Sequence, residues 1–296
     1  MKNKTVKLLK YNKMNCSPMV NKNKTFKNSC FDKTSLLYIK DSYNKHHPND
    51  QIEGKQLNKI LSELKEKLSK CSREDCWLKE IKNIDIQKKI YDFVFAPKQP
   101  SDWKKNPATW LSNYDILEVL KQYEKTYKHF KFIGPTPIDF DNQPYNNDKC
   151  VWQELCDFSI ANLKKQGKNK IGIIFNLDKH DQPGSHWVSM FIDLTEKYIY
   201  YMDSALNTIP SEINLLINKI KNQDKSGKKF KFYANTIEHQ MGNNECGMYS
   251  LFFIITMLTG KVKNKNLDTL RKKINFFNKR IPDKYVFNYR NIYFNS

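Results

Sequence analysis

Arginine is scarce in this sequence, C-x-x-C pairs are missing, and no apolar run is long. Only four of its 51 basic side chains are arginine: Arg73, Arg271, Arg280 and Arg290. Arginine's planar fork is the usual reader of phosphates and base edges. A formal net charge of +20 therefore does not point to sequence-specific nucleic-acid recognition. Lysine and asparagine rise together in A+T-rich genomes, and much of the charge reads as that bias. Charge alone still draws a polyanion, so non-specific contact with DNA through a basic surface is expected. No stretch approaches the ~18–20 apolar residues that cross a bilayer. The basic start MKNKTVKLLKYNKMN has no apolar segment behind it, unlike a secretory signal. A chain without a membrane partner, made on the cytosolic side, is expected.

Seven cysteines fall at 16, 30, 71, 76, 150, 156 and 246. The two nearest pairs, Cys71/Cys76 and Cys150/Cys156, have no histidine at metal-ligand spacing, so neither a metal nor a cofactor is expected. Reduced thiols are the expected state. The 296 residues are 39% hydrophobic and 13% aromatic, enough to bury a core without disulfides.

Residues 1–33 are rich in lysine and asparagine without hydrophobic periodicity and read as a loosely ordered basic arm. A helix opened by Thr34 or Ser35 runs to Pro48. In a second, Leu57, Ile60, Leu61, Leu64 and Leu68 recur at helical spacing. Ser72 and Asp75 suggest a cap for a short third. These make a helical module over 34–92, and the proline-bearing FAPKQPSDWKKNPATW marks the boundary with a domain over 93–296. Ser112 is placed to cap a helix with Ile116, Leu117, Leu120 and Tyr123 on one face. FKFIGPTPIDF, KIGIIFNLD, HWVSMFIDL, KYIYYMDS and KFKFYANT read as strands, SEINLLINKIKNQ as a helix. The apolar run CGMYSLFFIITMLTG reads as a buried helix beginning at Cys246 and ending at Gly260. The predicted class is α+β, with a central sheet and a helical appendage.

A thiol attacks as its thiolate, which a helix N-terminus or a nearby imidazole stabilises. Cys246 stands between the polar turn GNNE and an apolar helix, with Gly247 leaving room for close approach. A cysteine chosen at random is more often a plain core residue, so the imidazole has to be found elsewhere. Of six histidines, His186 alone follows a Gly-Ser turn and opens an alternating strand. Seventeen residues on, Asp203 ends the next strand. Adjacent strands ending together would bring carboxylate and imidazole within hydrogen-bond reach. An oxyanion also needs donors, and Gln240 with the Cys246 N–H could supply them; alone, a glutamine in a loop says nothing.

Taken together, GSHW, YYMDS and HQMGNNECGMYSLF resemble the cysteine peptidases of the adenovirus-protease and ubiquitin-like-deconjugating clan, with their order His, Asp or Asn, Gln, Cys. Within the clan the likeness is nearest to the maturation proteases of large cytoplasmic DNA viruses, that of African swine fever virus among them. The resemblance implies a papain-like, adenain-type core with a mixed sheet flanked by helices. It also implies that Trp110, in TWLSNYDILEVLKQYE, and Trp187 sandwich the backbone of a small dipeptide such as Gly-Gly. On residues alone, two packed core aromatics read equally well.

Three functions are weighed. One is an endopeptidase cutting viral structural precursors at Gly-Gly-Xaa sites, acting as a monomer in virions and at cytoplasmic assembly sites. Another is a deconjugase of ubiquitin-like modifiers. The last is a non-catalytic basic module associated with nucleic acid, disfavoured because all four reactive residues are intact.

Overall fold

The computed structural model describes residues 12–20, 26, 29–144, 149–224 and 229–296. Contacts divide the chain into two units, Met1–Lys98 with Asn291–Ser296, and Gln99–Arg290.

The first unit is helical. Helix α1 (Lys33–His46) is capped by Asp32, whose carboxylate accepts from the Ser35 N–H, so the cap lies two or three residues before the expected Thr34 or Ser35. Helix α2 (Leu57–Lys67) buries Ile60, Leu61 and Leu64 on one face, as its spacing dictates. Ser72 caps nothing: a 3-10 turn over Glu74–Glu80 follows, and Asp75 pairs instead with Arg73. Helix α3 (Ile84–Val94), which the sequence reading missed, starts at Asn83, whose side chain accepts from the Ile86 N–H. The expected loose arm is partly core. Met14, Val20, Cys30 and Phe31 are buried among the helices, and Phe31 stacks on Trp77. Burying those apolar side chains offsets the entropy of ordering a lysine-rich segment. Residues 1–11, 21–25 and 27–28 of that arm lie outside the described residues. Within this unit the C-terminal Asn295 bonds the backbone of Asn15 and Ala96.

Reduced thiols are a second correction. Disulfides join Cys16 to Cys30, Cys71 to Cys76 and Cys150 to Cys156. Their Cα separations, 5.1, 5.6 and 6.3 Å, fall within bonding range, a proximity that spacing in sequence does not reveal. Cys246 is the free cysteine among the described residues.

The second unit is built on one sheet. Helix α4 (Asn113–Thr126) starts in a reciprocal capping box between Ser112 and Asp115, of a kind that contributes about 1 kcal/mol. Strand β1 (Phe130–Pro137) is followed by the short helices α5 (Gln153–Cys156) and α6 (Ile160–Lys165). Next come β2 (Lys170–Asn176), β3 (Trp187–Asp193), β4 (Tyr198–Met202), α7 (Ser211–Gln223), β5 (Lys231–Ala234) and α8 (Cys246–Thr259). The strands lie in sequential order, β1–β2 and β4–β5 parallel, the middle pairs antiparallel. All seven residues of β3 are buried, because both faces of the sheet are covered. Val188, Met190 and Ile192 meet α6 and α7 through Leu163, Ile213, Ile217 and Ile220. On the other face α8 packs so closely that a Cβ on Gly172 would stand 2.8 Å from Ile254. Helix α8 is buried nearly all round and stops at Gly260, whose φ of 66° suits glycine. A short hairpin, β6 (Lys261–Val262) with β7 (Lys265–Asn266), leads to α9 (Leu270–Phe277) and α10 (Asp283–Phe287). Among the described residues no helix is long and apolar enough to cross a membrane.

Candidate active site

Antiparallel pairing of β3 with β4 puts the start of one beside the end of the other. His186 immediately precedes β3 and Asp203 immediately follows β4, and they meet there, His186 Nε2 lying 2.7 Å from Asp203 Oδ1. The other ring nitrogen is left for Cys246, which acts on the same imidazole and helps raise its affinity for a proton. Cys246 is the first residue of α8 and 1% exposed.

The Asp203 carboxylate is 1% exposed and surrounded by donors. The N–H of Ala205 reaches Oδ1 at 2.9 Å, while the N–H and side-chain amide of Asn207 reach Oδ2 at 3.0 and 3.1 Å. This tight turn holds Leu206 at a left-handed φ of 56°, a conformation costly for a residue with a Cβ. From below, Asn235 clamps the backbone: its Oδ1 accepts from the Asp203 N–H at 3.0 Å and its Nδ2 donates to the Asp203 carbonyl at 2.7 Å. Burial alone would raise the Asp203 carboxyl. The His186 hydrogen bond and charge, with the turn's N–H donors, overcome it and hold the carboxyl below its ordinary range. Burial likewise works to lower His186, but hydrogen bonds and charge from Asp203 and Cys246 raise it to about 9.

These shifts fix a pH dependence. A raised imidazole contributes stability fully present below 6.5 and lost as pH rises through about 9. Asp203 contributes stability present above 3.8, lost as pH falls through its depressed value. Since His186 must be protonated to serve a leaving group, turnover should decline as pH rises through about 9. In Asp203→Asn, with the charge gone, that alkaline limb should move to lower pH. A pH–rate profile of both proteins tests this, and an unmoved limb would contradict the pairing.

The loop before Cys246 is pinned at several points. Gln240 Nε2 donates to the Gly242 carbonyl at 2.6 Å, and its Oε1 accepts from the Ser204 hydroxyl at 2.8 Å. Asp283 accepts from the N–H groups of Met241 and Gly242 at 3.1 and 2.9 Å. Glu245 is paired with Arg290. Sequence reading passed over Ser204, Asn207, Asn235, Asp283 and Arg290. The Asp-Ser dipeptide was the only local cue, and it reads equally well as an ordinary turn.

Trp187 is 8% exposed, its Nε1 donating to the Leu111 carbonyl. Trp110 is 40% exposed and donates to Asn244. Both line one cleft of about 850 Å³. A Cβ on Gly247 would stand 3.1 Å from Leu111 and 3.3 Å from Trp187, so glycine beside the nucleophile lets the indole sit against the helix. Among the described residues no group of three His, Cys, Asp or Glu side chains could hold a metal ion.

What these groups can do together is attack a carbonyl through sulfur and pass a proton to the departing group, the chemistry of a cysteine-type peptidase. Residues 104–286 match the Ulp1 protease family, C-terminal catalytic domain, and the chain belongs to that family. It is 30% identical over 253 residues to a protein described as a thiol protease in Acanthamoeba polyphaga mimivirus, covering 79% of this chain and 82% of that one. It is 26% identical over 260 residues to a cysteine protease of African swine fever virus, covering 81% and 90%. The crystal structure of the African swine fever virus protease has the same fold, with a TM-score of 0.61, 21% identity and 97% of each chain covered. The papain-like α+β core expected from the sequence is the fold of this chain, and the chain is a cysteine peptidase acting on polypeptides.

Proposed function

We propose that this peptidase cuts structural precursor polyproteins at Gly-Gly-Xaa sites during virus particle maturation, in the virion and at cytoplasmic assembly sites. The observation that carries the reading is the cleft that Trp110 and Trp187 both line, with Trp187 packed against Gly247, the residue after Cys246. A slot bounded by flat rings suits backbone without side chains. The viral origin of the relatives supports the setting. In the reaction, the Cys246 thiolate adds to the scissile carbonyl, and Gln240 with the Cys246 N–H receives the oxyanion. His186 protonates the leaving amine, and water then releases the thioester.

Deconjugation of a ubiquitin-like modifier uses the same chemistry and the same slot for a Gly-Gly tail. It is favoured by the family's name and by a swine fever relative called a SUMO-1 cysteine protease. The test is cleavage of fluorogenic Gly-Gly-Xaa peptides beside folded modifiers carrying a C-terminal fluorophore. Efficient cutting of short peptides, with modest gain from a folded modifier, supports precursor processing. A gain of about 100-fold or more in kcat/KM from the folded modifier would instead establish deconjugation, since only a dedicated surface supplies the ~2.7 kcal/mol it represents.

A further inference from the structure

We infer that Ser204 is a positioning residue for the oxyanion donor, a role that rests on the peptidase reading of Cys246 and Gln240. Ser204 is 2% exposed and Gln240 6%, so neither side chain has bulk water to satisfy it. An amide has an accepting end and a donating end, and a half-turn exchanges them. The Gly242 carbonyl can only accept, and it takes one Nε2 proton at 2.6 Å. The Ser204 hydroxyl faces Oε1 at 2.8 Å and must donate to it. These contacts allow one sense of the amide. Nε2 keeps a second proton that has no protein acceptor among the described residues, which is what an oxyanion requires. The Ser204 carbonyl also accepts from the N–H groups of His239 and Gln240, both at 2.9 Å, docking the backbone of Gln240 on the same residue.

Ser204 directly follows Asp203. One dipeptide at the end of β4 thus orients the imidazole through its first residue and the amide through its second. In acylation the sulfur–carbon bond forms and the carbonyl π pair moves onto oxygen, where the Gln240 N–H receives it. The pair then returns to re-form the carbonyl as the carbon–nitrogen bond breaks and the amine takes its proton from His186. Without the Ser204 hydroxyl, Oε1 is buried unpaired. The amide is then held through Nε2 alone and swings about that one bond, which takes its second proton off the line to the oxyanion.

The experiment uses the full chain with Ser204→Ala, and Ser204→Thr to restore the hydroxyl. It measures kcat and KM on a Gly-Gly-Xaa peptide and inhibition by the matching peptide aldehyde, whose hemithioacetal carries an oxyanion. It also measures the alkylation rate of Cys246 by iodoacetamide across pH, which needs a thiolate but no oxyanion. In Ser204→Ala, kcat should fall about 10- to 100-fold, within the ~10²–10³ lost when a donor is deleted outright. KM should be nearly unchanged, aldehyde binding should weaken in proportion, and the alkylation profile should stay that of wild type. Threonine should recover most of the loss. If Ser204→Ala does not fold, Ser204→Cys, with its weak S–H donor, gives the same comparison. Unchanged kcat and aldehyde affinity would overturn the inference, as would an alkylation profile that shifts along with kcat, because the effect would then run through Asp203. A wild-type chain that neither cuts nor is alkylated at neutral pH sinks the peptidase reading itself.

Discussion

Cys246→Ala should abolish turnover, lowering kcat/KM at least about 10⁴-fold, while leaving folding and substrate binding intact. Losses on this scale follow when the nucleophile of a covalent mechanism is removed, and they exceed those for a supporting group. Two features make the substitution clean. The side chain is 1% exposed and small, so alanine leaves a minor cavity at the end of a helix whose remaining buried residues are unaltered. Its departure also takes a partner from His186, one of the groups that raises the imidazole to about 9. The variant's imidazole should therefore titrate lower, a shift readable by NMR. Binding of an uncleaved Gly-Gly peptide, measured by calorimetry, should persist because the cleft is lined by other residues. A Cys246→Ala protein that still cuts would disprove the assignment.

Arg290→Met should destabilise the catalytic unit by about 3–5 kcal/mol, the scale for stranding one member of a buried ion pair. The Arg290 and Glu245 side chains are 5% and 9% exposed, with Arg290 Nη2 2.6 Å from Glu245 Oε1. Arg290 also donates to the Pro107 carbonyl, and its guanidinium lies 4.1 Å from the Trp103 ring centre and 4.4 Å from that of Phe287. Methionine keeps part of the apolar stem but leaves the Glu245 carboxyl buried without its partner. Burial already pushes the Glu245 carboxyl up, and Arg290 is what draws it back. Pairing Arg290→Met with Glu245→Gln should recover a large part of the loss. Because Glu245 directly precedes Cys246, the single variant should also lose activity at temperatures where it remains folded. Denaturant unfolding of the single and double variants provides the measure, and equal stability of wild type and Arg290→Met would show the pair to be energetically silent.

Several elements were legible because their signals are local. Ser112 and Asp115 spell a capping box three residues apart. The apolar run from Cys246 has the length of a buried helix and stops at Gly260. Strands β3 and β4 alternate or run apolar as buried strands must, and their antiparallel pairing brings His186 and Asp203 to one end of the sheet. Helix α3 carries Ile86, Ile90 and Val94 at helical spacing, a signal that was there to be read, whereas α5 and α6, of four and six residues, are too short to show a period.

By itself, then, the sequence determined which residue types could do the chemistry, in what chain order, and on which kinds of element. Tertiary structure alone decided how they are held. Asn235 lies 32 residues from Asp203, Ser204 36 from Gln240, and Arg290 45 from Glu245. The pairing of six cysteines and the burial of Met14 and Phe31 in the supposed arm belong to the same class. The physical reason is common to all. Periodicity and capping arise from backbone geometry over a few residues, whereas a hydrogen bond between distant side chains exists only once the sheet and its loops have brought the partners within 3 Å.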